Sequence, residues 1–201
     1  SYAEVKALAT GNPYIKEKMD LDIQVSKLKL MKANHTSQKY RLETDIAKNY
    51  PVQIAAQKEQ IAGLRADREA VKPILEEKEK DNFSMMIGGK TYTDRKEAGT
   101  AILAACAGLK AVKSNGQIGE FHGFSLNASY DSFYQTYKLT IKRQCSYQIE
   151  IGKDVLGNLQ RISNALTGIE KRLTEAEQKM ENLLSQLATA QEEVEKPFPK
   201  E

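Results

Sequence analysis

Tryptophan is absent from this 201-residue chain, aromatic side chains make up 7% of it, and 5 prolines interrupt it. Hydrophobic residues account for 40% and charged residues for 28%, with a mean hydropathy of -0.56. So few large apolar side chains do not suit one large spherical core, and the composition is typical of long solvated helices with a narrow apolar stripe. Because no run of 18 apolar residues and no secretory leader is recognisable, we expect a cytoplasmic protein without a membrane span.

Metal-ligating residues are equally scarce. The chain has two cysteines, Cys106 and Cys145, without the spacing of a zinc motif, and only two histidines. We therefore expect no metal and no cofactor, and a buried thiol at Cys106, which lies in an apolar run. The net charge of +3 neither requires nor excludes a nucleic-acid partner, so only the distribution of charge is informative.

Helical patterns dominate both ends of the chain. Residues 1–12 read as a short leading helix and a joint at Gly-Asn-Pro, and 13–81 as one long helix kinked near Pro51. A second long helix is predicted over 153–196, before a tail at 197–201, because its apolar residues step alternately by four and three. Those residues are Val155, Leu159, Ile162, Leu166, Ile169, Leu173, Ala176, Met180, Leu183, Leu187, Ala190 and Val194.

The intervening residues, 82–152, have a different composition, with nine of the fourteen aromatic side chains. "FSMMIGGKTYT" predicts two strands around a Gly88-Gly89 turn, and the next segment predicts a helix capped by Thr93 or Asp94. About three further strands follow. The predicted fold is therefore α+β, a long antiparallel α-helical coiled coil whose arms, 13–81 and 153–196, carry a small inserted antiparallel α+β head domain.

No motif in the sequence supports catalysis. "IGGKT" resembles the end of a phosphate-binding loop, but Ser84 stands where that motif requires its first glycine, and the surrounding pattern is that of a hairpin. No nucleophile has a plausible general base and third member near it in the sequence. We therefore expect a protein that is not an enzyme by itself.

The stretch "YDSFYQTYKLTIKRQCSY" interleaves aromatic and basic residues, as single-stranded nucleic-acid readers do. Lys138, Lys142 and Arg143 are the predicted phosphate contacts, and Tyr134 and Tyr137 the predicted stacking groups. The alternative is that Tyr137 belongs to the core face of a strand whose basic residues simply face water. Residues 83–152 have eight basic and five acidic side chains, which favours this region for DNA contact.

A second candidate surface lies on the first long helix, which is longer than its predicted partner. Leu21, Val25, Leu28 and Leu30 would then be exposed apolar residues that a partner helix could cover. This pattern predicts, as the alternative function, a protein–protein interaction or self-association module.

Within the run "YAEVKALATGNPYIKEKMDLDIQVSKLKLMKAN" (2–34), residues 2–33 resemble a segment of very large bacterial Swi/Snf-type helicases. These proteins belong to conjugative and phage-like mobile elements and are often fused to a DNA adenine methyltransferase. There an A-E-V-K-A-L-A-[ST]-G-N-P-x-[IV]-K-E-K run follows the helicase core and starts a long coiled region. The resemblance implies a fragment of a larger protein, whose other domains would be its partners.

The helicase and methyltransferase motifs themselves are not in this sequence, so the resemblance places no catalytic residue here. Together with the interleaved stretch, it implies a non-catalytic accessory segment of a helicase-like DNA-modifying protein. Such a segment would contact DNA or act as a rigid spacer for the parent enzyme.

Overall fold

The structure is a computed structural model that describes residues 2, 5–6, 11, 13–80, 83–111 and 115–198, and only the backbone of 75–80. The predicted leading helix of 1–12 therefore lies largely outside the described residues, as do residues 199–201 of the tail. By their contacts, the described residues up to Ile54 and from Asn182 onward form one compact unit, and Ala55–Glu181 form the other.

The described residues of the first unit are helical apart from Gly11, which lies in a turn, and the last three, 196–198. Helix α1 spans Pro13–Thr44 and has no buried residue, and a π-helical segment, Asp45–Asn49, connects it to α2, Tyr50–Lys80. The Tyr50 N–H donates to the Asp45 carbonyl, five residues back, instead of four. Pro51 follows at once, and its ring removes one helical N–H donor. The predicted kink near Pro51 stays a prediction.

The second unit is built on a six-stranded antiparallel sheet in the order β2-β1-β3-β4-β5-β6. The strands and the helix between β2 and β3 are β1 Met85–Ile87, β2 Lys90–Tyr92, α3 Arg95–Ala111, β3 Gly116–Phe121, β4 Phe124–Asp131, β5 Thr136–Lys142 and β6 Ser146–Ile151. After β6 come α4, Val155–Thr167, and α5, Ile169–Glu195.

Two local predictions are confirmed. Gly88 and Gly89, with φ of 58° and 79°, form the two-residue turn between β1 and β2, where only glycine accepts both positive angles without strain. The "IGGKT" segment is therefore a hairpin. Asp94 caps α3, since its Oδ1 accepts the Glu97 N–H at 2.8 Å. Four strands follow α3, where about three were predicted, because His122 and Gly123 turn the chain between β3 and β4.

The predicted long antiparallel coiled coil is wrong. Leu159, Ile162 and Leu166, which were assigned to its seam, lie in one hydrophobic core with sheet residues such as Leu139 and Ile141. The regular run is also interrupted at Gly168, between α4 and α5. A four-and-three apolar stripe suits a helix packed on a sheet as well as one packed on a helix, because it defines only the buried side of the helix. The fold is mixed α+β.

Helices cover one face of the sheet, and the junction between β6 and α4 is fixed by Asn158. This buried side chain accepts the Gly152 N–H and donates to the Gly152 carbonyl, both at 2.8 Å. Arg161 donates to the same Asn158 oxygen at 2.9 Å. The side-chain amide thus pairs with the backbone as a neighbouring strand would, and it holds the first turn of α4 against the end of β6.

Cys106 is fully buried in the core cluster, as predicted, and burial raises the pKa of its thiol to about 11. Among the described residues, no helix has an apolar stretch long enough to cross a membrane.

Replacement of Gly99 by alanine will destabilise the protein by about 1–3 kcal/mol, because a Cβ there would lie 2.7 Å from the Val155 carbonyl oxygen. The matched control is Gly108→Ala in the same helix, where a Cβ meets nothing and the helix propensity of alanine should stabilise by about 0.5–1 kcal/mol. Urea unfolding of both variants measures the difference. A Gly99→Ala protein as stable as the wild type would show that α3 and α4 are not in this close contact.

Candidate nucleic-acid interface

The hairpin between β4 and β5 is held by one carboxylate. Asp131 Oδ1 accepts the backbone N–H groups of Phe133 and Tyr134 at 3.0 and 3.1 Å, which folds the connecting residues into a tight turn. Asp131 Oδ2 accepts a hydrogen bond from the Lys138 ammonium at 2.9 Å. The turn closes at Gln135, which has a φ of 53°. This loop is therefore ordered by its own side-chain contacts.

Four aromatic rings gather at this hairpin, and we call Tyr130, Phe133, Tyr134 and Tyr137 the aromatic tip. Phe133 and Tyr134 are 84% and 68% exposed and meet edge to face, with centroids 4.8 Å apart. Tyr130 and Tyr137, which are cross-strand partners, are half-buried with centroids 5.1 Å apart. Two large rings are thus displayed to solvent on a rigid support.

Cations flank the aromatic tip on both sides. The Lys138 ammonium lies 6.0 Å from the centroid of the Tyr134 ring. The Lys110 ammonium, at the end of α3, lies 4.4 Å from the centroid of Tyr130. Lysine over the face of an aromatic ring is attracted by the ring quadrupole, so the rings and the cations hold each other in place.

The predicted residues Tyr137 and Lys138 lie on opposite faces of the sheet, because side chains alternate along β5. Leu139 and Ile141 are fully buried on the core face, and Tyr137 belongs to that face. The alternative interpretation of Tyr137 as a core-face residue therefore agrees with the structure. Lys138 and Lys142 project from the other face of the sheet. This face is polar along β4, β5 and β6. Its side chains are Ser125, Asn127, Ser129, Asp131, Thr136, Lys138, Thr140, Lys142, Ser146, Gln148 and Glu150.

The three predicted cations differ in their surroundings. Lys138 donates a hydrogen bond to Asp131. This hydrogen bond is the largest cause of the raised pKa of Lys138 and of the lowered pKa of Asp131. Arg143 Nη1 donates to the Ala66 carbonyl at 3.1 Å and lies 3.5 Å from Asp67 Oδ1. Lys142 is exposed, and it has no ion pair with any residue that the structure describes. Lys142 is thus the predicted cation most accessible to a phosphate.

The carboxylate beside Arg143 is fully buried. Asp67, on α2, accepts the Gln144 N–H at 3.0 Å and the Cys145 N–H at 2.8 Å. The Tyr147 hydroxyl also donates to it, at 2.8 Å. Burial and then the hydrogen bond to Asp67 raise the pKa of Tyr147, so this hydroxyl keeps its proton and remains a donor. We call Asp67 with its donors Arg143, Gln144, Cys145 and Tyr147 the Asp67 cluster.

Cys145 borders an open cleft of about 490 Å³ together with Gln57, Gln60, Arg172 and Lys179. Burial first, and then the negative charge of Asp67, raise the pKa of the Cys145 thiol. A thiol that stays protonated is a poor nucleophile, so the cleft lacks the activated group that cysteine catalysis needs. Among the described residues, no cluster of three metal-ligating side chains is present.

The predicted partner-helix surface lies on α1. Its members are all solvent-exposed, with exposed fractions of 52% for Leu21, 47% for Val25, 41% for Leu28 and 63% for Leu30. Leu21, Val25 and Leu28 share one side of the helix. Leu30 lies about 200° round the helix from Leu28, on the other side, because each residue turns the helix by about 100°.

Phe133 and Lys110 are not among the residues predicted from the sequence. Phe133 follows Asp131 by two residues. An aspartate at the start of a short loop often forms an Asx-turn, in which its side chain accepts the N–H two residues later. That signal would have placed Phe133 at an exposed turn. Lys110 had no such signal, since it reaches Tyr130 from a helix twenty residues earlier.

Replacement of Asp67 by asparagine will destabilise the protein by about 3 kcal/mol or more, since the amide offers one acceptor oxygen to four donors and adds a buried NH2 group. Chemical denaturation measures the loss. Tyr147→Phe, which removes one donor and keeps the ring, should cost about 1 kcal/mol. The control is Glu69→Gln, an exposed carboxylate on the same helix, which should leave stability nearly unchanged. Equal stability of the Asp67 and Glu69 variants would contradict a structural role for the cluster.

Replacement of Lys138 by methionine will move the pKa of Asp131 up towards its ordinary value, because the largest cause of its lowered pKa is removed. Carboxyl-carbon NMR titration measures this shift. Because the folded-state pKa is the lower one, the pair stabilises the hairpin above the unfolded-state pKa, and its contribution is lost as the pH falls through the folded-state pKa. Lys142→Met, on the same strand face, should leave the Asp131 pKa unchanged, and a shift of equal size there would contradict the assigned pairing.

Comparison of the chain with protein-family models, with curated proteins and with solved structures finds no match. The family resemblance of residues 2–33 therefore stays a prediction.

Proposed function

We propose that the chain is a non-catalytic accessory segment that contacts single-stranded DNA through the aromatic tip. The observation that carries the proposal is the pair of exposed rings, Phe133 and Tyr134, which the Asp131 carboxylate fixes at the end of a hairpin. Exposed rings on a rigid turn can receive unpaired bases without first becoming ordered, so little conformational entropy is lost on binding.

Stacking favours a single strand over a duplex. Each base that stacks on an aromatic side chain gains about 1–3 kcal/mol, whereas the bases of a duplex are already stacked on one another. Two exposed rings provide for one or two bases, which suits a contact that positions a strand and does not read a long sequence. The serine, threonine, asparagine and glutamine side chains of the open sheet face supply neutral hydrogen-bonding groups beside them.

Phosphate contact is assigned mainly to Lys142 and Lys110. Lys138 is partly neutralised by Asp131, and its main role is to hold the turn. Arg143 is bound into the Asp67 cluster, so its substitution would test the stability of the unit before it tested binding. Tyr137 is half-buried and supports the tip from the core face.

The resemblance to helicase-like DNA-modifying proteins supports DNA as the ligand, since such a protein handles separated strands. The parent enzyme would supply the chemistry. This segment would hold a strand for it.

Fluorescence anisotropy of labelled oligothymidylate and of a matched duplex, titrated with the whole chain across a salt series, tests the proposal. We expect the single strand to bind more tightly than the duplex. Phe133→Ala/Tyr134→Ala should weaken binding of the single strand by about tenfold or more. Lys142→Glu should weaken it further and reduce the slope of affinity against salt by about one phosphate contact.

The control is Tyr40→Ala, which removes an exposed ring from α1 and should leave DNA binding unchanged. Absence of binding at low salt would refute DNA contact by this chain. Equal losses of DNA affinity in Tyr40→Ala and in Phe133→Ala/Tyr134→Ala would refute the placement of the DNA contact on the hairpin.

A further inference from the structure

Helix α1 changes its environment along its length. From His35 onward it contacts the end of its own chain, where the His35 ring meets Phe198 edge to face with centroids 5.3 Å apart. A small cleft there is lined by His35, Leu42 and, from the C-terminal end of the chain, Glu193 and Lys196. The earlier part of α1 has several large apolar side chains that are 41% to 63% exposed, among them Leu21, Val25 and Leu28, whereas Ile15 and Met19 are partly buried. Apolar stripes on helices of this length are normally covered.

Three of the exposed apolar side chains lie on one side of the helix. Leu21, Val25 and Leu28 are spaced by four and then three residues, so they stack along one side. His35 lies seven residues after Leu28 and continues the line into the part that the chain itself covers. We call Leu21, Val25 and Leu28 the open stripe.

Charge is distributed unevenly along the same helix. Its first part, 13–22, contains three acidic residues, Glu17, Asp20 and Asp22, and two basic ones, Lys16 and Lys18, of which Lys18 lies 3.9 Å from Asp22. From 23 to 42 no acidic residue occurs, and five basic residues follow one another, namely Lys27, Lys29, Lys32, Lys39 and Arg41. The helix is therefore self-complementary when two copies run in opposite directions. An antiparallel pair centred near Val25 brings Asp20 and Asp22 of each copy close to Lys27 and Lys29 of the other, while Lys18 and Lys32 lie opposite each other.

We infer that the open stripe packs against the open stripe of a second copy of this chain, with the two helices antiparallel and related by a two-fold axis near Val25. Such an interface is isologous, so each favourable contact occurs twice. A parallel pair would instead place Lys27 and Lys29 of one copy against those of the other. This self-association goes beyond the proposed contact with DNA and uses none of the residues of the aromatic tip.

A second copy fits this surface better than an anionic partner does. A nucleic acid would attract the lysines but leave the apolar stripe uncovered. An acidic membrane surface would cover the stripe but repel Asp20 and Asp22, which flank it. The antiparallel copy covers the stripe and brings these two carboxylates close to Lys27 and Lys29. Nucleic acid and lipid thus become alternative outcomes of the test.

Sedimentation equilibrium of the full chain over a range of concentrations measures the association. We expect reversible dimers, and a dissociation constant at least about tenfold higher for Val25→Glu/Leu28→Glu, because each copy then places charge in the apolar contact. The matched control is Ile23→Glu/Leu30→Glu, which adds the same charges to exposed apolar positions on the other side of α1. Since α1 has no buried residue, neither double variant should unfold the protein.

Charge exchange tests the direction of pairing. Asp20→Lys/Asp22→Lys alone should weaken the dimer, and so should Lys27→Glu/Lys29→Glu alone, because like charges then face each other in each homodimer. An equimolar mixture of the two variants should restore association as a heterodimer. A parallel pair would predict little loss in either variant by itself.

Several outcomes would overturn the inference. These are a monomer at every concentration, equal weakening by the two glutamate pairs, and loss of association that mixing fails to restore. Dimers that form only after oligothymidylate or anionic vesicles are added would assign the surface to that ligand instead. The tip variants distinguish the two proposals, since Phe133→Ala/Tyr134→Ala should leave the dimer unchanged.

Discussion

One buried carboxylate holds together two parts of the second unit that are distant in sequence. Asp67 on α2 accepts hydrogen bonds from the turn between β5 and β6, nearly eighty residues later, and from Tyr147 in β6. A charge with no exposed surface is tolerated only when donors surround it, so α2 and this turn have to be brought together for either to be stable. The position of β5, and with it the hairpin of the aromatic tip, follows from this contact.

The Asp67 cluster also affects which of the predicted cations are accessible to a phosphate. Arg143 was predicted to bind phosphate because it is basic and lies among aromatic residues, yet its guanidinium is directed at Ala66 and Asp67. Lys138 is likewise engaged, by Asp131. Basic residues near aromatic residues in sequence therefore divide between structural and accessible cations, and only the partners that folding supplies distinguish them.

Local chemistry decided which parts of the fold were predictable from sequence. The Gly88-Gly89 turn and the Asp94 cap follow from backbone angles and side-chain reach within a few residues, and both were predicted. The stripe from Leu159 to Leu166 was recognised, but its partner was not, because a spacing defines a buried side and does not identify what covers it. For the site, the stretch around Tyr134 was found, whereas Phe133 and the Asp67 cluster depend on a turn conformation and on a contact across the fold.

The pairing of Asn158 with Gly152 also limits what can be added to the sheet. β2 and β6 are its two edge strands, and an unpaired strand edge offers its backbone groups to other chains. β2 is only three residues long and begins with a lysine. At the other edge, both backbone groups of Gly152 are already occupied by a side chain of the same molecule. A foreign strand that aligned along β6 would meet these occupied groups just beyond Ile151, so a short edge strand at one margin and a blocked end at the other both limit strand addition to this sheet.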